Sequence, residues 1–157
     1  MAKSIKVTMD NPKKIINRII NDKVRLFASD TWAKYFKKYT PMESGTLGSN
    51  YITEPGKVTY TSDYAHYQWE GKLYVDPITH KGAFYDPNYG FWSRPGVTKI
   101  PSNKSLVYSK EKNPGATSHW EVPAQENYKS QVAQEIEDYI KRMWGNVWIY
   151  MNHLLNG

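Results

Sequence analysis

The stretch PMESGTLGSNY (41–51) gathers an acid, hydroxyls and two glycines, the residue types from which phosphate loops and nucleophile turns are built. A phosphate loop needs G-x-x-x-x-G-K-[ST] between a strand and a helix, so that backbone N–H groups converge on the anion. Gly45 and Gly48 lack the following lysine, and the stretch runs from a helical pattern into a strand pattern, the opposite polarity. A serine nucleophile sits in G-x-S-x-G with a base in reach, and neither Ser44 nor Ser49 has that frame. Asp63, His66 and Glu70 are three and four residues apart, which a helical turn would bring to one face. The second histidine of a zinc-helix pattern is missing, however, and surface polar groups are the plainer reading. Glu43, Glu54, Glu70 and Glu121 fall in loops or at strand ends with no spacing that singles out a carboxylate pair. No catalytic residue, metal ligand or cofactor is therefore expected, and PMESGTLGSNY reads as a corner. Pro41 ends the helix before it, and Leu47 and Tyr51 turn back under a sheet.

Composition narrows the classes further. Cysteine is absent, which excludes disulfides, thiolate metal sites and a cysteine nucleophile. No apolar run approaches the length of a membrane span, and MAKSIKVTMD lacks the apolar core of a secretory signal. Aromatic residues make up 15% of the chain, with thirteen Tyr and six Trp. Such amphipathic rings are frequent in protein–protein contacts. The net charge of +6 is concentrated at the start: residues 1–38 carry ten Lys and Arg against three Asp. Lys13, Lys14, Lys37 and Lys38 mark a basic face suited to phosphate or to an acidic partner, with a merely solvated helix face as the plain alternative. No base-reading motif accompanies it, so nucleic-acid contact would be non-specific.

These residues must be positioned by a recognisable order of elements. SIKVTM (4–9) alternates as a strand, and Asp10 or Asn11 as N-cap, with Pro12 at the first helical position, supplies a helix start. Apolar residues from Ile15 to Phe36 recur at three- and four-residue steps, predicting one long helix over 12–39. NYITE (50–54) and KVTYTS (57–62) flank Pro55-Gly56 as a hairpin. DYAHYQWEG (63–71) reads either as a strand or as one helical turn, and periodicity does not separate the two. Residues 72–104 interleave turn formers with rings, as a long ordered loop or a hairpin excursion. SLVYS (105–109) predicts a strand, and Pro123 opens a second helix over 123–142, with 146–157 as a C-terminal extension. The length fits one domain over 1–157. The expected class is α+β: a long N-terminal helix and a C-terminal helix packed on an antiparallel sheet.

Three segments carry a resemblance. YTPMESGTL (39–47), after an amphipathic helix, resembles the vPxdTGxLr signature of small head–tail proteins of tailed phages. DYAHYQWEGK (63–72) resembles the YAxyvexGk segment of that family, and ATSHWEVPA (116–124) resembles its HWfexA or pFlxPA element before the last helix. The family comprises minor capsid proteins of phages of Gram-positive hosts, similar in pattern to tail-completion and head–tail joining proteins. The likeness spans 12–142. It departs at Gly48, where the family has a basic or polar residue, and at 72–104, which is longer than in tail-completion proteins. It implies a non-enzymatic virion component at the neck, assembled in the host cytoplasm, that forms a homo-oligomeric ring between neighbouring connector and tail proteins, with DNA in the channel. The residues expected to make contacts are Trp69, Tyr74, Phe84, Tyr85, Tyr89, Phe91 and Trp92. For each, core packing is the plain alternative.

Overall fold

A computed structural model describes residues 17, 20–42, 47–145 and 153. The elements are α1 (Asp22–Phe36), β1 (Tyr51–Glu54), β2 (Lys57–Tyr60), α2 (Ala65–Glu70), β3 (Lys72–Val75), β4 (Phe84–Asp86), β5 (Gly90–Trp92), β6 (Ile100–Ser105) and α3 (Glu121–Trp144). The class is α+β. Among the described residues the strands make three separate two-stranded sheets, β1–β2, β3–β6 and β4–β5, in place of the single sheet expected.

The helix expected over 12–39 is corrected to Asp22–Phe36. Ile20 is a bend, and the Asn21 side-chain carbonyl accepts the backbone N–H groups of Lys23 (3.0 Å) and Val24 (3.2 Å). Those are two of the donors that a first helical turn leaves without partners, so Asn21 caps a new start. The apolar spacing runs straight through this cap, which is why periodicity alone overlooks it. The far end closes with Tyr39 N–H and Thr40 N–H both reaching Phe36 O, at 2.9 and 3.0 Å. Residues 4–9 and most of 12–19 lie outside the described residues, as does 146–157 apart from His153.

The chain divides into two compact units. Of the described residues, the first contains those up to Ala33, Thr53–Val58 and those from Lys129. Val24 and Ile140 are buried there against Ile136, Tyr139 and Trp144, and Phe27 stacks on Tyr139 at 4.0 Å. Burying each of the two aliphatic side chains contributes about 1.5–3 kcal/mol. Ser29 Oγ donates to Glu54 O (2.7 Å) and Gly56 N–H to Arg25 O (3.5 Å), fastening the Pro55-Gly56 turn to α1.

The second unit contains Lys34–Ile52 and Thr59–Tyr128. Its core is Leu47, Ala65 and Trp120, with Phe36, Tyr39, Tyr60 and Trp69 packed on it. Tyr60 meets Trp120 edge-on at 5.0 Å, and burial pushes the Tyr60 hydroxyl above its ordinary pKa. DYAHYQWEG resolves as the short helix α2. Gly71 terminates it in the left-handed region, at φ 71°, with its N–H on Tyr67 O.

The strand expected at 105–109 is corrected to Ile100–Ser105. Its partner β3 begins at Lys72, opposite Ser105, immediately after the helix end at Gly71. Beyond that point β3 offers no further residue to pair with. Leu106 N–H makes one last bond to Gly71 O (2.8 Å), and Val107 is 97% exposed. The second long helix starts at Glu121, two residues before Pro123. Proline is tolerated there because first-turn N–H groups have no intrahelical acceptor.

Candidate functional site

Within 72–104 the chain forms an ordered ribbon. β4 and β5 pair antiparallel with Phe84 opposite Trp92, Tyr85 opposite Phe91 and Asp86 opposite Gly90. The Asp86 carboxylate accepts the N–H groups of Asn88 (2.8 Å) and Tyr89 (3.3 Å), and Gly90 supplies the positive φ of 78° that closes a three-residue hairpin loop. Strand alternation puts Phe84 and Trp92 on one face, where their rings stack at 4.8 Å. Tyr85 is on the opposite face at 66% exposure, Tyr89 is at the tip at 85%, and Trp92 is 46% exposed.

The stem of this ribbon is held by an ion pair that no spacing in the sequence signals. Arg94 Nε donates to Asp76 Oδ2 (2.6 Å) and Nη2 to Oδ1 (2.7 Å), a two-point fork. Asp76 Oδ1 also accepts Ile78 N–H (2.8 Å) and Thr79 N–H (3.0 Å). The residue is 4% exposed. The Arg94 hydrogen bonds, followed by the Thr79 amide, hold its carboxyl well below the usual carboxylate range. Beside this pair Lys99 Nζ donates to Gly82 O, and Lys81 Nζ lies 5.5 Å from the Phe84 ring centre. Asp76-Pro77 signals a local turn, but nothing in the spacing links position 76 to position 94.

The seven aromatic residues singled out above thus separate into two groups. Phe84, Tyr85, Tyr89, Phe91 and Trp92 belong to the one hairpin. Trp69 lies instead against the core, its indole N–H donating to Glu121 Oε2 (2.7 Å) and its ring 4.3 Å from that of His119. Tyr74 gives its hydroxyl to Glu70 Oε2 (2.6 Å), which raises its pKa, and packs edge-on against Tyr67 at 4.6 Å.

Of the four basic residues, Lys13 and Lys14 lie outside the described residues. Lys37 and Lys38 are exposed in the turn after α1. Lys38 Nζ stands 4.9 Å from the Tyr128 ring centre and 5.9 Å from that of Tyr35, and Lys34 Nζ is 4.7 Å from Tyr35. A loop from 110 to 117 is fastened to this same turn. Asn113 Nδ2 donates to Lys37 O (3.2 Å) and Thr40 O (2.8 Å), and Thr117 N–H donates to Tyr39 O (3.0 Å). Lys110 and Lys112 therefore join Lys37 and Lys38, a juxtaposition that a separation of some seventy residues conceals in the sequence.

The chemical readings find little geometry. His66 Nε2 is 3.2 Å from Glu70 Oε1 on one face of α2, but among the described residues no three His, Asp or Glu side chains converge as a metal site. Glu43–Thr46 lie outside the described residues, while Leu47 and Gly48 are buried in the corner. Among the described residues no helix is long and apolar enough to cross a membrane. Compared with protein-family models, with curated proteins and with solved structures, the chain gives no match.

Proposed function

We propose that this chain is a non-enzymatic structural protein of a tailed-phage virion, a head–tail connector or tail-completion component. It oligomerises into a ring and joins the capsid portal or adaptor to the tail. One observation carries the reading: the three segments that resemble the family close on one core. Leu47 comes from the first, Ala65 and Trp69 from the second and Trp120 from the third. Segments so far apart in the chain meet as a family signature should if it encodes one scaffold. The β4–β5 ribbon adds a means of docking, since an exposed aromatic element on a braced stem suits the apolar centre of a protein interface.

Electron microscopy of the purified virion tests this directly. The expected result is density for this chain at the neck, repeated around the axis. Finding the chain only outside the particle would sink the reading. If such a free chain bound duplex DNA, the second reading, a basic nucleic-acid-binding accessory protein, would replace it.

A further inference from the structure

We infer that the lysine surface at the end of α1 binds the phosphate backbone of a duplex nucleic acid without reading its sequence. The inference goes beyond the assembly reading and stands without it. The surface comprises Lys34, Lys37 and Lys38 together with Lys110 and Lys112, all exposed, and Glu111 is the one acid in the two segments 34–40 and 110–117. It is a built arrangement. The Asn113 amide and the Thr117 N–H pin the loop to the helix end. Lys110 Nζ is anchored on Ala116 O, and the Tyr35 and Tyr128 rings hold the ammonium groups of Lys34 and Lys38.

A purely local account covers only half of this. Cations at a helix C-terminus are favoured by the exposed carbonyls there, which accommodates Lys34, Lys37 and Lys38. It does not account for Lys110 and Lys112, which arrive from a separate loop and add like charge to the same place.

The composition chooses between a nucleic acid and an acidic protein. Protein interfaces bury rings at their centre and are depleted in lysine. Tyr35 is buried, Tyr39 and Tyr128 are half-buried, and neither segment exposes a ring or a branched aliphatic side chain. Phosphate contact needs only the charges. The division of labour is therefore clear: the aromatic ribbon meets protein and the lysine surface meets phosphate.

The test uses the full purified chain and a fluorescent duplex of about 20 base pairs, titrated between about 50 and 200 mM salt. With about four phosphate contacts, affinity should fall roughly 150-fold across that range. The variant Lys37→Ala/Lys38→Ala/Lys112→Ala should weaken binding at least about tenfold at the lower salt and flatten the salt dependence to that of about one contact. The control Lys72→Ala/Lys81→Ala/Lys104→Ala removes the same charge elsewhere and should change affinity less than about threefold. Replacement of the three patch lysines by Arg should retain binding. Equal losses in the two Ala triples would assign binding to net charge and overturn the inference, as would no binding at the lower salt. Equal affinity for a polyglutamate peptide of matched charge would transfer the surface to an acidic protein and also overturn it.

Discussion

Gly71→Ala should be among the most damaging single-methyl substitutions in the second unit, and its cost can be divided into parts. Gly71 ends α2 at φ 71°, where an L side chain is disfavoured by about 1 kcal/mol or slightly more. A methyl group there would also stand 2.6 Å from Ser118 Cβ and 3.0 Å from the Tyr108 hydroxyl. Neither neighbour is a loose chain end. The Tyr108 hydroxyl donates to Gln68 O (2.6 Å), and Ser118 precedes His119, whose N–H is on Trp69 O (3.0 Å). Relieving such an overlap costs about 1–3 kcal/mol, so the total is roughly 2–4 kcal/mol. Gly96 is the matched control: its φ is 72° and an added methyl meets nothing within 4 Å. The backbone penalty, and the opposing loss of unfolded-chain freedom, are common to both sites and cancel in the difference. Urea denaturation followed by tryptophan fluorescence should thus place Gly71→Ala below Gly96→Ala by about 1–3 kcal/mol. Ser118→Gly, added to Gly71→Ala, should recover part of that gap as a favourable coupling energy. Equal losses at positions 71 and 96 would refute the packing described for α2 and the 116–122 segment.

Three further outcomes are expected. The depressed Asp76 carboxyl gains stability from ionisation, so its contribution is full above the unfolded value of about 4 and is lost as pH falls below it toward the lower folded value. Protection of the β4–β5 amides, taken relative to their intrinsic exchange rate, should fall progressively below about pH 4, and Asp76→Asn should remove most of that dependence while loosening the ribbon at neutral pH. Asn21→Ala deletes the cap of α1 and should cost about 1 kcal/mol, measured by thermal or urea unfolding; no loss would restore the uninterrupted helix over 12–39. Tyr85→Ser with Tyr89→Ser should leave stability within about 1 kcal/mol, because both side chains are largely exposed, and, if the assembly reading holds, should abolish incorporation into particles. Collapse of the monomer instead would make these rings core.

What the sequence made legible was local. Pro55-Gly56 between two alternating runs is a self-contained hairpin signal, and β1–β2 follows it. The last helix is equally plain, off by two residues at each end. The break at Asn21 was hidden because apolar periodicity reports a face and says nothing of where backbone donors are satisfied. DYAHYQWEG stayed ambiguous because six helical residues are too few for a period to declare itself. The displaced strand at 100–105 is non-local in origin: a strand extends only as far as its partner, and β3 starts where α2 stops. The Asp76–Arg94 fork and the bond from the Asn113 amide to Lys37 O belong to the same class, since no spacing rule joins residues that only the fold brings together.

The residues that carry the resemblance and those that could carry specificity fall in different places. Leu47, Ala65 and Trp120 are interior, and Gly71 is buried beneath Ser118. Substitution at any of them acts first on the scaffold. The β4–β5 ribbon lies outside all three resembling segments, at 84–92, on a stem secured by its own ion pair. A scaffold braced independently of this ribbon permits the ribbon to change its rings without unfolding the rest. If the assembly reading holds, exchanging 82–93 for the corresponding hairpin of another such protein, with Asp76 and Arg94 kept, should preserve the urea midpoint of the chain and redirect which neighbour it joins. Preservation of partner choice after that exchange would place recognition elsewhere on the molecule.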